Sequence, residues 1–169
     1  MTEQPTLVDV RLTNFPLDLW LLAQEHADGV IREFTLIAHE RAGGHAVDLP
    51  RRLVAIVDEL SARFGGIGDQ AEAARDAAIE RGERYVDLRY RVPAAVGEAA
   101  RHLGDVLDEA DEYCRRGQHL LSLATPPEAA AFRRWFIDEF VRQTAGAPPQ
   151  PWPPEGSDPS RVRAERSAG

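Results

Sequence analysis

Two histidines, His26 and His102, are the side chains best placed for chemistry in this chain. On a helical wheel of about 100° per residue, the apolar stripe around His26 runs through Leu19, Trp20, Ala23, Ala27, Val30, Ile31 and Phe34. His26 falls about 20° outside that stripe, and His102 occupies the matching boundary of a later helix, beside Tyr113. A half-exposed histidine in the middle of a bundle helix is the arrangement a phosphotransfer protein uses as its phosphoacceptor, so both are phosphoacceptor candidates. The competing reading is a boundary imidazole that bonds a neighbouring acid such as Glu25 or Asp28. All 20 basic residues are arginine, so any cation beside a phosphohistidine would have to be a guanidinium. The same absence of lysine excludes a P-loop, a Schiff base and every lysine nucleophile.

Other clusters are poorer in chemistry. His39, Glu40 and His45 make an H-E-x-x-x-x-H run, but zinc motifs of the H-E-x-x-H kind need both histidines one turn apart on one helix face. The acidic run LDEADEYC sets Asp108, Asp111 and Glu112 on neighbouring turns and Glu109 on another face. Paired carboxylates can do acid–base work or hold a cation, yet the run lacks the Glu-x-x-His spacing of di-iron bundles and reads as a solvated face. GGIGD lacks the strand and the spacing of a phosphate loop. Ser61 and Ser122 lie outside any nucleophile-elbow motif, and Cys114 shares an apolar stripe with Leu103, Leu107 and Ala110. The expectation is no catalytic residue, no metal site and no cofactor.

FRRWFIDEFVRQ places Phe132, Trp135, Phe136 and Phe140 on one side of a helix and Arg133, Arg134 and Arg142 on the other. Arg133, Arg134 and Trp152 are therefore candidates for contact with a partner. Trp152, inside PPQPWPP, has two options, its own domain or a partner's surface, and the first is favoured.

These side chains need elements to hold them. Val8, Val10 and Leu12 alternate with Asp9, Arg11 and Thr13, and Val86, Leu88, Tyr90 and Val92 alternate likewise, which is the period of a half-buried strand. Helices are expected from Pro16 to about Arg41, from an Asp48 cap, from an Asp69 cap to near Gly82, from Pro93 to Arg116, and from a Thr125 cap through PPE. VDVRLTNFP matches VDLRYRVP with one residue deleted, and AQEHADGVIREF aligns with AARHLGDVLDEA at an offset of 76, which places His26 over His102. The expected fold is mainly α: duplicated β-α-α units forming a four-helix bundle with a small two-stranded antiparallel ribbon and a connecting helix. Repeat one covers about 6–64, the connector 65–83 and repeat two about 84–145, inside a single domain 1–146. The proline-rich stretch 147–169 reads as a disordered tail.

Composition bounds what this fold can do. The chain has 169 residues, 43% hydrophobic and 28% charged, ordinary for one soluble domain. A net charge of -8 argues against binding nucleic acid, and a mean hydropathy of -0.37 with no long apolar run argues against a membrane span. One cysteine and a polar, acidic start predict a cytoplasmic protein.

The strings YRVP, LDEADEYCRRG, LSLATPPE and FRRWFIDEFVRQ resemble a group of actinobacterial helical proteins that carries no catalytic motif. Members of that group tend to be encoded near anti-sigma-type ATP-binding regulators and PP2C-type phosphatases. The resemblance implies a regulatory partner of one of those kinds and no particular site residue. The functional expectation is a non-catalytic interaction module in bacterial signal transduction of the partner-switching type. The alternative is a histidine phosphotransfer or kinase-dimerisation-like bundle using His26 or His102. A third reading is a small-ligand enzyme or sensor with Asp108 and Glu112 lining a cleft between repeats. Homodimerisation through a bundle face stays open.

Overall fold

Among the described residues, alternation of apolar and polar residues gives two strands, β1 (Leu7–Pro16) and β2 (Tyr85–Pro93), and five amphipathic segments give five helices. The helices are α1 (Leu17–Glu40), α2 (Asp48–Phe64), α3 (Asp69–Glu80), α4 (Val96–Arg115) and α5 (Pro127–Thr144). The computed structural model describes residues 6–40, 48–116 and 125–153, with backbone alone at 37–40 and 48. The chain is mainly helical with one two-stranded antiparallel sheet. Among the described residues no helix is long and apolar enough to cross a membrane.

The sheet pairs Val8 with Val92, Val10 with Tyr90 and Leu12 with Leu88. Those even-numbered pairs carry the ladder, and Ala94 N–H continues it to the Thr6 carbonyl. Past Leu12 the register slips by one residue, a bulge at Thr13 and Asn14. Asn14 adopts φ 57°, a left-handed conformation that asparagine tolerates, and its N–H donates to the Asp87 carboxylate at 2.7 Å.

Both helix-starting prolines expected from the sequence lie instead at strand ends. Pro16 closes β1 and Pro93 closes β2, so α4 begins at Val96. Leu7 stands opposite Pro93 at a position whose N–H faces away from the ladder, so the missing proline donor costs no bond. Two expected caps also differ. Gly68 precedes α3 and Pro126 precedes α5, neither with a side-chain cap, and the Thr125 hydroxyl is bonded elsewhere.

Two apolar clusters fill the interior. The first joins the inner sheet face (Val10, Leu12, Leu88, Val92) to α3 and to Phe132 and Phe140 of α5. The second joins Val30 and Phe34 of α1, Leu53 and Ile56 of α2, and Val106, Ala110 and Cys114 of α4. Helix α1 packs on α2 and α5, and α4 packs on the same two. At Gly97 an added Cβ would lie 2.0 Å from Thr144 Oγ1, so this glycine sets how closely α4 meets the end of α5.

The packed structure runs past Gly146, where sequence composition placed the domain end. Trp152 N–H donates to the Thr13 carbonyl at 2.9 Å, Asn14 Nδ2 donates to the Trp152 carbonyl at 2.9 Å, and Trp135 Nε1 donates to the Gln150 carbonyl at 3.0 Å. Trp152 packs edge-on against Phe132 and Trp135, at 5.9 and 5.4 Å between ring centroids. The break in composition was real, but a tryptophan and free backbone donors let an extended proline segment dock.

Candidate functional site

Helices α1, α2, α4 and α5, with Thr125 two residues before α5, line a cavity of about 60 Å³ between the two clusters. Its walls are mostly alanine and aliphatic side chains: small residues at Ala23, Ala27, Ala110 and Ala129 leave the space, and Val30, Leu53 and Leu107 shape it. Its polar members are His26 of α1, Asp111 of α4, Arg133 of α5 and Thr125.

Three of the four are bonded to one another. Arg133 Nη2 donates to Asp111 Oδ2 at 2.6 Å and to Asp108 Oδ1 at 2.8 Å, and Nη1 donates to Thr125 Oγ1 at 3.3 Å. The Thr125 hydroxyl donates to Asp111 Oδ1. The Arg133 and Asp111 side chains are only 15% and 14% exposed, so solvent screens their pairing weakly. Burial alone would raise the Asp111 carboxyl, yet the Arg133 and Thr125 hydrogen bonds outweigh it and hold that carboxyl below its ordinary value.

His26 is the exception. Its Nε2 atom is buried and has no hydrogen-bond partner. Burial holds the imidazole below its ordinary value; Asp111 opposes that shift and Arg133 adds to it. The ring is therefore biased to the neutral form, with one nitrogen facing apolar neighbours and the edge of an ion pair that is already complete.

The other candidates are dispersed. His102 is exposed on α4, away from the cavity lining. Arg133, expected on an outer face, instead reaches across to α4, whereas Arg134 is exposed. Trp152 is half-buried against its own domain. Asp108 joins the cluster at its rim, but Glu112 is engaged by Arg115 and Arg116, so the pair Asp108 and Glu112 does not line a common cleft. Cys114 is buried, which pushes its thiol up. His45 and Ser122 lie outside the described residues, as do the side chains of His39 and Glu40. Among the described residues no group of three or more His, Cys, Asp or Glu could hold a metal ion.

A second polar cluster went unread in the sequence. Glu139 and Gln143, one turn apart on α5, are 1% and 5% exposed. Gln143 Nε2 donates to Glu139 Oε2 at 2.8 Å and to the Arg11 carbonyl at 2.7 Å, and Gln143 Oε1 accepts the Arg11 N–H at 2.9 Å. Glu139 also accepts from Arg142 and from the Gln150 N–H. The only sequence signal was the spacing of four that puts both side chains on one face, beside Phe132, Phe136 and Phe140. Compared with protein-family models, curated proteins and solved structures, the chain matches none of them.

Proposed function

We propose that this chain is a non-catalytic interaction module in signal transduction, one that binds a regulatory protein of the ATP-binding anti-sigma or phosphatase type. The observation that carries this reading is the commitment of Arg133, Asp111 and Thr125, three of the four polar groups at the cavity, to one another. Arg133 donates to Asp108, Asp111 and Thr125, so the cluster works as a latch between α4 and α5. The cavity beside it, about 60 Å³, has room for roughly two waters, far below the 300–1,000 Å³ of a metabolite site. The kind of partner rests on the sequence resemblance alone. Capture on the tagged chain from its native cytoplasm tests it: a stoichiometric ATP-binding or phosphatase partner is expected, and specific turnover of a small molecule by the purified chain overturns it.

Phosphotransfer is the second reading, and exposure favours His102 over His26 as its acceptor. A phosphoryl group on His26 Nε2 would be buried beside the Asp111 carboxylate, which repels it. Acid-labile, alkali-stable labelling by a kinase that His102→Gln removes would support this reading.

The architecture this module rests on is proposed to be a four-helix bundle of α1, α2, α4 and α5, built from duplicated β-α-α units. Support comes from the closed circuit of packings, α1 to α2 to α4 to α5 and back. The sheet register adds to it, because Arg11 pairs with Arg89, its equivalent in the aligned V-D-x-R strings. The residue deleted in the second string falls where β1 bulges. Superposition of 6–64 on 84–145 in an experimental structure checks it, and unrelated helix directions would exclude it.

A further inference from the structure

The two edges of the small sheet are treated differently. On β1 the outward N–H and C=O of Arg11 are both taken by the Gln143 amide, and the Thr13 carbonyl accepts from Trp152 N–H, so that edge is closed over Arg11 and Thr13. Since Arg11 stands opposite Arg89 and Asp9 opposite Arg91, the N–H and C=O groups of Arg89 and Arg91 point out of the other edge. Among the described residues none hydrogen-bonds to the outer backbone of Asp87, Arg89 or Arg91, and all three residues are exposed. An open edge of this kind is a template for one more strand.

We propose that the strand this edge takes is β2 of a second copy of the chain, antiparallel, about a twofold axis beside Leu88. This inference is independent of the partner reading above. Charge selects the occupant and the register. A new strand must keep Leu88, Tyr90 and Val92 over the apolar face, so outward residues pair only with outward residues. With Leu88 on the axis, Asp87 stands opposite Arg89 of the partner subunit and Arg89 opposite the partner's Asp87. Opposite charges then face each other twice and like charges nowhere directly. Shifting the axis to Arg89 would set two arginines face to face. A self-complementary edge that closes on itself makes a dimer and leaves no growing sheet. The result is a four-stranded sheet whose outer edges are both β1, each capped at Arg11 and Thr13 by Gln143 and Trp152.

Sedimentation equilibrium on the full chain tests this. Two short strands bury little area, so a dimer dissociating in the range of about 10–100 µM is expected. Arg89→Pro removes an outward N–H that the β1–β2 ladder does not use. It should weaken self-association about thirtyfold, the cost of two backbone hydrogen bonds per dimer, while circular dichroism stays unchanged. Arg89→Ala keeps the N–H and should weaken it no more than about threefold, because exposed ion pairs contribute little. If Arg89→Pro fails to fold, Arg91→Pro, on the same edge, takes its place. A monomer at concentrations up to about 1 mM overturns the proposal. So does a dimer indifferent to both proline variants, or a monomer that takes up an acidic extended peptide at this edge instead.

Discussion

The end of the molecule that carries the sheet and the far end of the helices hold their cores in opposite ways. At the sheet end, Phe15, Phe132, Trp135, Phe136 and Trp152 meet ring to ring, and Phe15 and Phe132 sit edge-on at 5.3 Å. Buried Glu139 and Gln143 tie α5, β1 and the proline segment together around them. At the far end the side chains are aliphatic apart from Phe34, Tyr113 and Cys114, and the cavity with the orphaned His26 nitrogen lies between the two. Hydrogen bonds that cross elements make the first end specific. The second is held by burial, by the Arg133 latch and by the exposed Arg52–Glu109 pair between α2 and α4, so any change of shape should begin there.

The largest expected effect is at the aromatic end. Phe132→Ala should cost about 3–5 kcal/mol in urea unfolding, and Leu53→Ala, beside the existing cavity, about 2–3 kcal/mol. Equal losses would break the contrast, because it requires that the far end relax around a deletion. Arg133→Ala strips the partner from half-buried Asp111 and should cost about 2–4 kcal/mol, whereas Arg133→Ala combined with Asp111→Ala should recover part of it. A single substitution with no measurable loss would remove the latch from the account. Gly97→Ala should cost about 1–3 kcal/mol by pushing α4 off Thr144, and Thr144→Ala in the same chain should relieve it.

The smallest effect has the opposite sign. His26→Leu removes a buried nitrogen that has no partner and should stabilise by about 1 kcal/mol near neutral pH. Because burial depresses the His26 pKa in the folded state, its contribution is whole above the ordinary value of 6.5 and is lost as pH falls below it. Melting temperature should therefore fall between about pH 7 and 5 in the parent chain and fall less in His26→Leu. Parallel curves would mean that His26 is solvated. Asp111, held low by Arg133 and Thr125, loses its contribution only at more acid pH, so the two components separate along the pH axis.

Much of the fold was legible from local pattern. Alternating Val10, Leu12, Leu88 and Val92 located the strands and their inner face, and the stripe through Val30 and Phe34 located the buried side of α1. Strand alternation and helix period are properties of neighbours in the chain, so a single sequence displays them. Boundaries were less legible. Pro16 and Pro93 suit a helix start as well as a strand end, and only the paired strand distinguishes the two.

The site was legible in pieces. His26 at the rim of its stripe, Asp111 in an acidic run, Thr125 as a helix cap and Arg133 on a basic face each had a local explanation, and none of those explanations pointed to a shared interior site. Only the packing of α5 across α4 and α1 brings them to one cavity, because a charge reads as exposed until a partner from another element neutralises it. Glu139 and Gln143 follow the same rule. By itself the sequence determined the periods, the strands, the helices and the lysine-free composition. Tertiary structure decided which polar groups are inside and which strand edge stays open, since both depend on residues far apart in the chain meeting in space.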